Sequence, residues 1–489
     1  MSGGEDGWAR LVKLLDEREI VLRTTGERLN YLAPTGAMDE EVTGLVRAHR
    51  ERLLTTLTGA GAALAAAPAG AQQRRMHGSH AHSADPAVWN ITQRITLRGP
   101  LEPERLTGAL TALTERHESL RTRFLDTDLG VLQQVLANTP VELPVEDLRG
   151  LTPAGRAAAL AEATDAEIRR PFDLAAPPLL RTRLLRPAER EWVLLLTVHH
   201  IAIDGWSLAT VLDDLGALYR TGGPLPEEPG RMTDHACWER TVVNRAAITA
   251  AADHWAGVLR GAELSVDLPT DRPRPEQRSG HGETLGFRIP AAVAEAVGRY
   301  SAARSTTASA VLVAALARLF GSLSGAPQIL LLLSNANRTR AADEKVVGLI
   351  TSSMPILVPT GGDGGFAGLV DHAAEAIASA IDHTVTPFGL LLEPLRERGV
   401  HLPSSFPQIL FAVQSTPPIV LDLPGLTAEV EDLPGPSARA DCALNVTPDA
   451  DGYAGLVEYD TDLFDRSTML SWLDALVAGL AEQLEVPLG

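Results

Sequence analysis

The chain has 489 residues, room for about three domains of ordinary size, or for one two-lobed unit with a small appendage. Its 43 Lys and Arg against 62 Asp and Glu give a formal charge of −19, which sets it against phosphate backbones and anionic lipid, so neither nucleic acid nor membrane is an expected partner. Apolar residues make up 45% of the chain, and the two cysteines, Cys237 and Cys442, exclude a disulfide scaffold and a cysteine zinc site and suit a reducing compartment.

Residues 1–7 are glycine-rich and acidic, unlike an export signal. The longest strongly apolar run, 329–333, falls far short of the roughly 20 residues that span a bilayer. The expectation is a soluble, cytoplasmic protein.

In chain order, Trp8, Leu11, Leu14 and Leu15 recur at helical spacing and predict a short amphipathic helix. Residues 20–23 and 28–32 read as two short strands around Thr25-Gly26, a hairpin signal. Pro34-Thr35-Gly36 breaks the chain. Met38, Val42, Leu45, Val46, Leu53, Leu54 and Leu57 then supply the apolar positions of a second helix. Residues 1–58 thus read as helix, hairpin and helix, a unit small enough to depend on association. Residues 59–77 are mostly Ala, Gly and Pro with little to bury and read as a flexible linker. His77, His80 and His82 at its end read as a solvated cluster, with no metal expected. From 78 to 489 helical and strand patterns alternate, which predicts one large α/β (α+β) unit with lobes at about 78–250 and 251–489.

The residues that carry chemistry lie in Thr197-Val198-His199-His200-Ile201-Ala202-Ile203-Asp204-Gly205-Trp206-Ser207. The apolar run 192–198 predicts a buried strand. Successive strand residues point to opposite faces, so His199 and His200 cannot share a cavity; one is packed and the other is presented at the strand's end. Leu208, Val211, Leu212, Leu215 and Leu218 form one helical stripe, with Ser207 as its N-cap. Gly205 falls between strand and helix. Its missing side chain lets another group approach, and the helix N-terminus favours developing negative charge. An imidazole at such a turn can accept or share a proton near neutral pH. Asp204 reads either as a second reacting group or as a structural carboxylate paired with an arginine.

His199-His200-Ile201-Ala202-Ile203-Asp204-Gly205 resembles the HHxxxDG motif of nonribosomal peptide synthetase condensation domains, shared with related CoA-dependent acyltransferase folds. Further stretches follow in the family's order. Arg116-His117-Glu118-Ser119-Leu120-Arg121-Thr122-Arg123-Phe124 resembles RHExLRTxF, and Arg170-Pro171-Phe172-Asp173-Leu174 with Pro178-Leu179-Leu180-Arg181 resembles RPFDL…PLLR. Asp234-His235-Ala236-Cys237-Trp238 is a weaker copy of DYAxW. Leu268-Pro269-Thr270-Asp271-Arg272-Pro273-Arg274-Pro275 matches the LPTDRPRP connector, and the stretch from Tyr459 to Asp465 the late YxxxLFD. Residues 1–58 resemble the TubC-type docking domains at the N-termini of some synthetase subunits.

The resemblance implies two chloramphenicol-acetyltransferase-like lobes in a V-shaped pseudo-dimer, preceded by a small ααββ-type docking domain. It implies a tunnel that admits a donor thioester from one side and an acceptor aminoacyl thioester from the other, each on the phosphopantetheine arm of a carrier protein, upstream and downstream. The acceptor amine attacks the donor carbonyl, so no cofactor or protein nucleophile of its own is expected. His200 becomes the general base or positioning group, beside His199. Holding two substrates in line is worth roughly 7–11 kcal/mol. The Gly205 N–H is a candidate oxyanion donor. Asp204 is expected to pair with Arg338, in Asn335-Ala336-Asn337-Arg338, and Trp206 and Ser207 to touch substrate. The docking domain is expected to receive the C-terminal peptide of an upstream subunit along a hairpin edge, with Arg23 and Arg28 as complements to acidic side chains.

Two departures stand out. Thr351-Ser352-Ser353 occupies the place of the family's Asn-Thr pair, a feature nearer to epimerisation domains, although their EGHGRE motif is absent. The opening motif is reduced to Ala71-Gln72-Gln73-Arg74, within the expected linker. The rival readings are an ester-forming or starter acyltransferase of the same fold and a non-catalytic recruitment platform.

Overall fold

The computed structural model describes residues 2–59, 61–83, 85–137, 140–414 and 420–487. The chain opens with α1 (Ser2–Glu17), the hairpin β1 (Val21–Thr25) and β2 (Arg28–Leu32), then α2 (Glu40–Ala48) and α3 (Arg50–Thr58). The hairpin turns at Gly26, whose φ of 57° lies in the left-handed region that glycine enters without steric cost. Asp39 starts α2 by accepting from the Val42 N–H at 2.9 Å, and the second helical run divides at His49.

Residues 59–77 are not a linker. They hold β3 (Ala63–Pro68) and the first part of α4 (Ala71–His82). The run of small residues that looks unstructured is buried in its second half: Ala66, Ala67, Ala69 and Ala71 are all below 5% exposed. Small side chains let neighbouring backbone approach, and β3 pairs β1 on one side and β6 on the other. The N-terminus of α4 is closed by side chains: the Ala71 N–H donates to Glu239 Oε2 at 2.6 Å and the Gly70 N–H to Gln73 Oε1 at 2.9 Å.

The chain continues through β4 (Asn90–Arg98), α5 (Pro103–Arg116), β5 (Thr122–Thr127), β6 (Gly130–Leu136), β7 (Val145–Asp147), α6 (Pro153–Arg169), β8 (Leu180–Ala188), β9 (Glu191–His199), α7 (Gly205–Thr221) and α8 (Met232–Val242). After these come α9 (Arg245–Leu259), β10 (Gly282–Pro290), α10 (Ala291–Ala303), α11 (Ala308–Ser324), β11 (Gln328–Asn335), β12 (Ser352–Pro359), α12 (Gly365–Ile381) and α13 (Leu392–Glu397). The last elements are β13 (Ile409–Val413), β14 (Thr427–Asp432), β15 (Cys442–Asp449), β16 (Gly452–Asp460) and α14 (Arg466–Gln483).

Two compact units result. One comprises Met1–Asn244, Arg338–Thr351 and Thr416–Pro434, the other Arg245–Asn337, Ser352–Ser415 and Gly435–Gly489. The expected division at 250/251 therefore needs correction, because two later segments fold with the first unit. β14 pairs with β4 there, and the segment 338–351 packs against the start of α7.

The first unit contains two sheets, β2-β1-β3-β6-β5 and β14-β4-β9-β8-β7. In the former, the hairpin of the first 58 residues and the strands that follow share one hydrogen-bonded sheet, and Ala66 and Leu132 complete a core with Trp8, Leu11, Leu53 and Leu57. In the latter, β9 is central and buried on both faces from Trp192 to His199, which explains its unbroken apolar run. α7 buries Leu208, Val211, Leu212, Leu215 and Leu218 in the same core.

The second unit is a six-stranded sheet, β10-β16-β15-β13-β11-β12, covered by apolar helices such as α11, whose residues from Ala310 to Ala317 are all buried. Among the described residues no single helix is long and apolar enough to cross a membrane. α10 and α11 pass that test only as a pair, and they are bent by 111°.

Candidate active site: the histidine turn

β9 ends at His199, and the chain turns through 200–204 into α7. The strand end is held by backbone bonds: His199 N–H donates to Leu179 O at 3.1 Å and His200 N–H to Trp89 O at 2.9 Å. His199 is the packed histidine, 0% exposed, with Phe172 edge-on at 5.9 Å. Burial, with the nearby His80, His200 and Arg181, holds its pKa well below 6.5, so the ring is neutral. His200 is half-buried, and its Nδ1 lies 2.8 Å from Ile203 O. A carbonyl only accepts, so Nδ1 carries the proton and the neutral ring has its lone pair on Nε2.

Asp204 closes the turn. Both its oxygens are engaged by Arg338, Nη1 to Oδ2 at 2.9 Å and Nη2 to Oδ1 at 3.0 Å. Oδ2 also accepts from the N–H groups of Ile350 and Thr351 and from Thr351 Oγ1, and Oδ1 from the N–H and Oγ of Ser207. Burial alone would raise this carboxyl, but the Arg338 charge and these donors outweigh it and hold it at about 2. Asp204, not Ser207, is therefore the N-cap of α7. Ser207 is buried inside the helix's first turn, where its Oγ, its single proton directed to Asp204, accepts from the Gly348 N–H at 3.1 Å and lies 2.9 Å from Gly348 O. Position alone does not separate the two caps; the carboxylate, with two oxygens, can serve the helix and the arginine at once.

Gly205 is the exposed first residue of α7. Trp206 is half-buried; its Nε1 donates to Glu344 O at 3.0 Å and its ring lies 5.5 Å from the Arg338 guanidinium carbon. The 338–351 segment is itself pinned to α8, where His235 Nδ1 lies 2.9 Å from Asp343 Oδ1 and Arg340 Nε donates to Asp343 Oδ2 at 2.9 Å. Residues 347–351 thus enter the site mainly through backbone, a contribution that side-chain motifs do not show.

His77, His80 and His82 do not gather. His80 Nδ1 lies 3.1 Å from His199 Nε2, His82 Nδ1 bonds Gly78 O, and His77 Nε2 is 3.9 Å from Asp126. No group of three His, Cys, Asp or Glu able to hold a metal ion occurs among the described residues. His80 is therefore not a solvated residue as its place in the sequence suggests: α4 carries it to the buried His199, a contact that no spacing signals. Of the expected docking residues, Arg28 is exposed on β2, whereas Arg23 donates to Asp234 Oδ1 on α8 at 2.6 Å. In the second unit, Ser352 and Ser353 line a cleft with Trp255, Met354, His383 and Phe388.

The strand-end histidine pair, the arginine-locked aspartate and the helix start sit within a matched family: residues 65–488 match the condensation domain family, to which this chain belongs. Residues 9–58 match the TubC N-terminal docking domain. The chain is 32% identical over 410 residues to malpibaldin synthetase of Mortierella alpina, covering 82% of this chain and 7% of that protein. Among solved structures it resembles the complex of the X-domain and OxyB from teicoplanin biosynthesis, with TM-score 0.73, 26% identity, and 86% and 93% of the two chains covered. The condensation domain of the Monacolin K polyketide synthase MokA has the same fold, with TM-score 0.75, 18% identity, and 87% and 99% covered. The fold is thus the condensation-domain fold expected from the motifs.

Proposed function

We propose that this chain forms an amide bond between a donor acyl or peptidyl thioester and an acceptor amine, both carried on phosphopantetheine arms of carrier proteins. The observation that carries this reading is the 2.8 Å contact of His200 Nδ1 with Ile203 O: with Nδ1–H donated there, Nε2 is the ring atom that can accept the proton the amine gives up as it attacks. In that step the amine nitrogen bonds the thioester carbonyl carbon, the C–S bond breaks, and the carrier thiol leaves with a proton. The ion pair of Asp204 and Arg338 holds the turn, so its part is positioning. The α7 N-terminus at Gly205 supplies the positive end of a helix for the developing oxyanion.

The docking domain favours a donor on another polypeptide, whose C-terminal peptide adds along β2. β1 and β3 already have neighbours on both sides, so β2 is the hairpin's open edge. We place the protein in the cytoplasm with soluble carrier partners. An ester-forming or starter acyltransferase would use the same turn. A recruitment platform is the reading favoured by the X-domain likeness, since that neighbour's structure is a complex with OxyB.

The test is to mix donor-loaded and acceptor-loaded carrier proteins with the chain and with His200→Ala, following products by mass spectrometry. Amide formed by the first and lost in the second supports the proposal. Ester product, or no product with any carrier pair, moves the assignment to one of the rivals.

A further inference from the structure

The proton on His199 is fixed by its neighbours. The Ile201 N–H points at His199 Nδ1 at 3.0 Å. A backbone N–H only donates, so Nδ1 presents a lone pair and the proton sits on Nε2. That Nε2 lies 3.1 Å from Nδ1 of His80 on α4. Nε2–H therefore donates and His80 Nδ1 accepts, which leaves the His80 proton on its own Nε2. The two rings meet edge-on, 5.0 Å between centroids at 70°. The relay runs one way, from Ile201 through His199 to His80.

We propose that His80 is a positioning residue for the histidine turn: its neutral Nδ1 holds His199 in the tautomer that anchors Ile201, and its protonation releases that anchor. The inference rests on the reading of His200 as the reacting imidazole, since Ile201 is the next residue of the same turn.

The chemistry follows from donor counting. A protonated His80 has an N–H at Nδ1, facing another N–H across a buried contact. The conflict is relieved only if His199 moves its proton to Nδ1, which then faces the Ile201 N–H, or if one ring swings away. Either way the turn loses a bond beside His200. The charged and titratable groups around the pair are His77 on α4, Asp173 on the loop after α6, Arg181 on β8 and His200 itself. Burial, then His77, lowers the His80 pKa below 6.5, with Asp173 opposing. The sign is that of a depressed histidine: both states are neutral above 6.5, and the folded turn is penalised as pH falls below that value. His80 is held in place because Glu239 and Gln73 cap α4.

The experiment uses the full chain with nitrogen-15 histidine and the carrier-pair assay. Long-range nitrogen–proton spectra at about pH 8 should show His199 as the Nε2–H tautomer, and that signature should fade as His80 titrates. His80→Asn keeps an oxygen acceptor and cannot titrate. Its ratio of condensation rate at about pH 5 to that at about pH 8 should exceed the parent's, because only the parent's His80 gains a proton over that range. His80→Phe removes the acceptor, so the His199 tautomer should become mixed and the rate fall by about tenfold at both pH values. The inference is overturned if His199 carries its proton on Nδ1, or if His80→Asn keeps the parent's acid limb. Should no carrier pair react at any pH, the functional reading fails instead, and the tautomer spectra of parent and His80→Asn still decide the relay.

Discussion

Arg338 reaches Asp204 across 134 positions of sequence and grips both of its oxygens, and neither side chain is more than 2% exposed. Removing one partner of a buried pair strands the other charge, which costs roughly 3–5 kcal/mol. Asp204→Asn keeps a helix cap but leaves Arg338 uncompensated. We expect a lower melting temperature and loss of condensation, with Arg338→Met no better. A variant as stable as the parent would show that the pair does not hold the turn. Its carboxyl, at about 2 against an ordinary 3.8, adds stability that is full above 3.8 and lost as pH falls through about 2.

The parts legible in the sequence were those with a period or a motif. β9 and α7 announce themselves through an apolar run and a helical stripe, and the pair HHxxxDG marks where they meet. Arg338 came only from resemblance, because nothing in spacing ties residue 338 to residue 204. The N–H groups of Ile350 and Thr351 were invisible, since every non-proline residue has one. β3 reads as linker in the sequence because alanine carries little apolar surface to signal burial, although it packs well where backbones come close. For the same reason His80 reads as solvated, although α4 sets it against His199.

Arg28 and Arg23 should now part company. Arg28 is exposed on the outer strand of the hairpin, while Arg23 is tied to Asp234. Arg28→Glu should weaken binding of an acidic C-terminal peptide by about two- to fivefold at low salt, and the effect should shrink as salt is added. Calorimetry with one such peptide reads it directly. If Arg23→Ala weakens binding more than Arg28→Glu, the peptide does not lie along β2.

Gly216 on α7 faces the backbone of the 420–434 segment: a Cβ there would stand 2.7 Å from Asp422 O. A methyl group at that distance must push the segment away, and Leu421 and Leu423 are buried in the same core. Overpacking of this kind costs about 1–3 kcal/mol, against about 1 kcal/mol that alanine gains over glycine in a helix. Gly216→Ala should therefore lower the urea midpoint. A higher midpoint would mean that the segment yields freely.

The docking hairpin sits on the condensation unit as part of its sheet. Val21 and Leu32 cover Cys237 of α8 together with Ala67, Trp8 Nε1 donates to Asp128 Oδ2 at 2.9 Å, and Leu132 closes the core of the first 58 residues. Burial pushes the Cys237 thiol up to about 11, so at pH 8 it is neutral as well as covered. In the full chain both cysteines, each buried, should resist a thiol reagent until urea unfolds the protein. Deleting residues 1–58 removes Val21 and Leu32 and strips β3 of β1. Cys237 should then react at once while Cys442, in the second unit, stays protected, and the melting temperature should drop. Equal protection of Cys237 in the shortened chain would mean that the hairpin hangs free of α8, and that the short pairing of Thr24 and Thr25 with Ala66 and Ala65 does not tie docking to the catalytic fold.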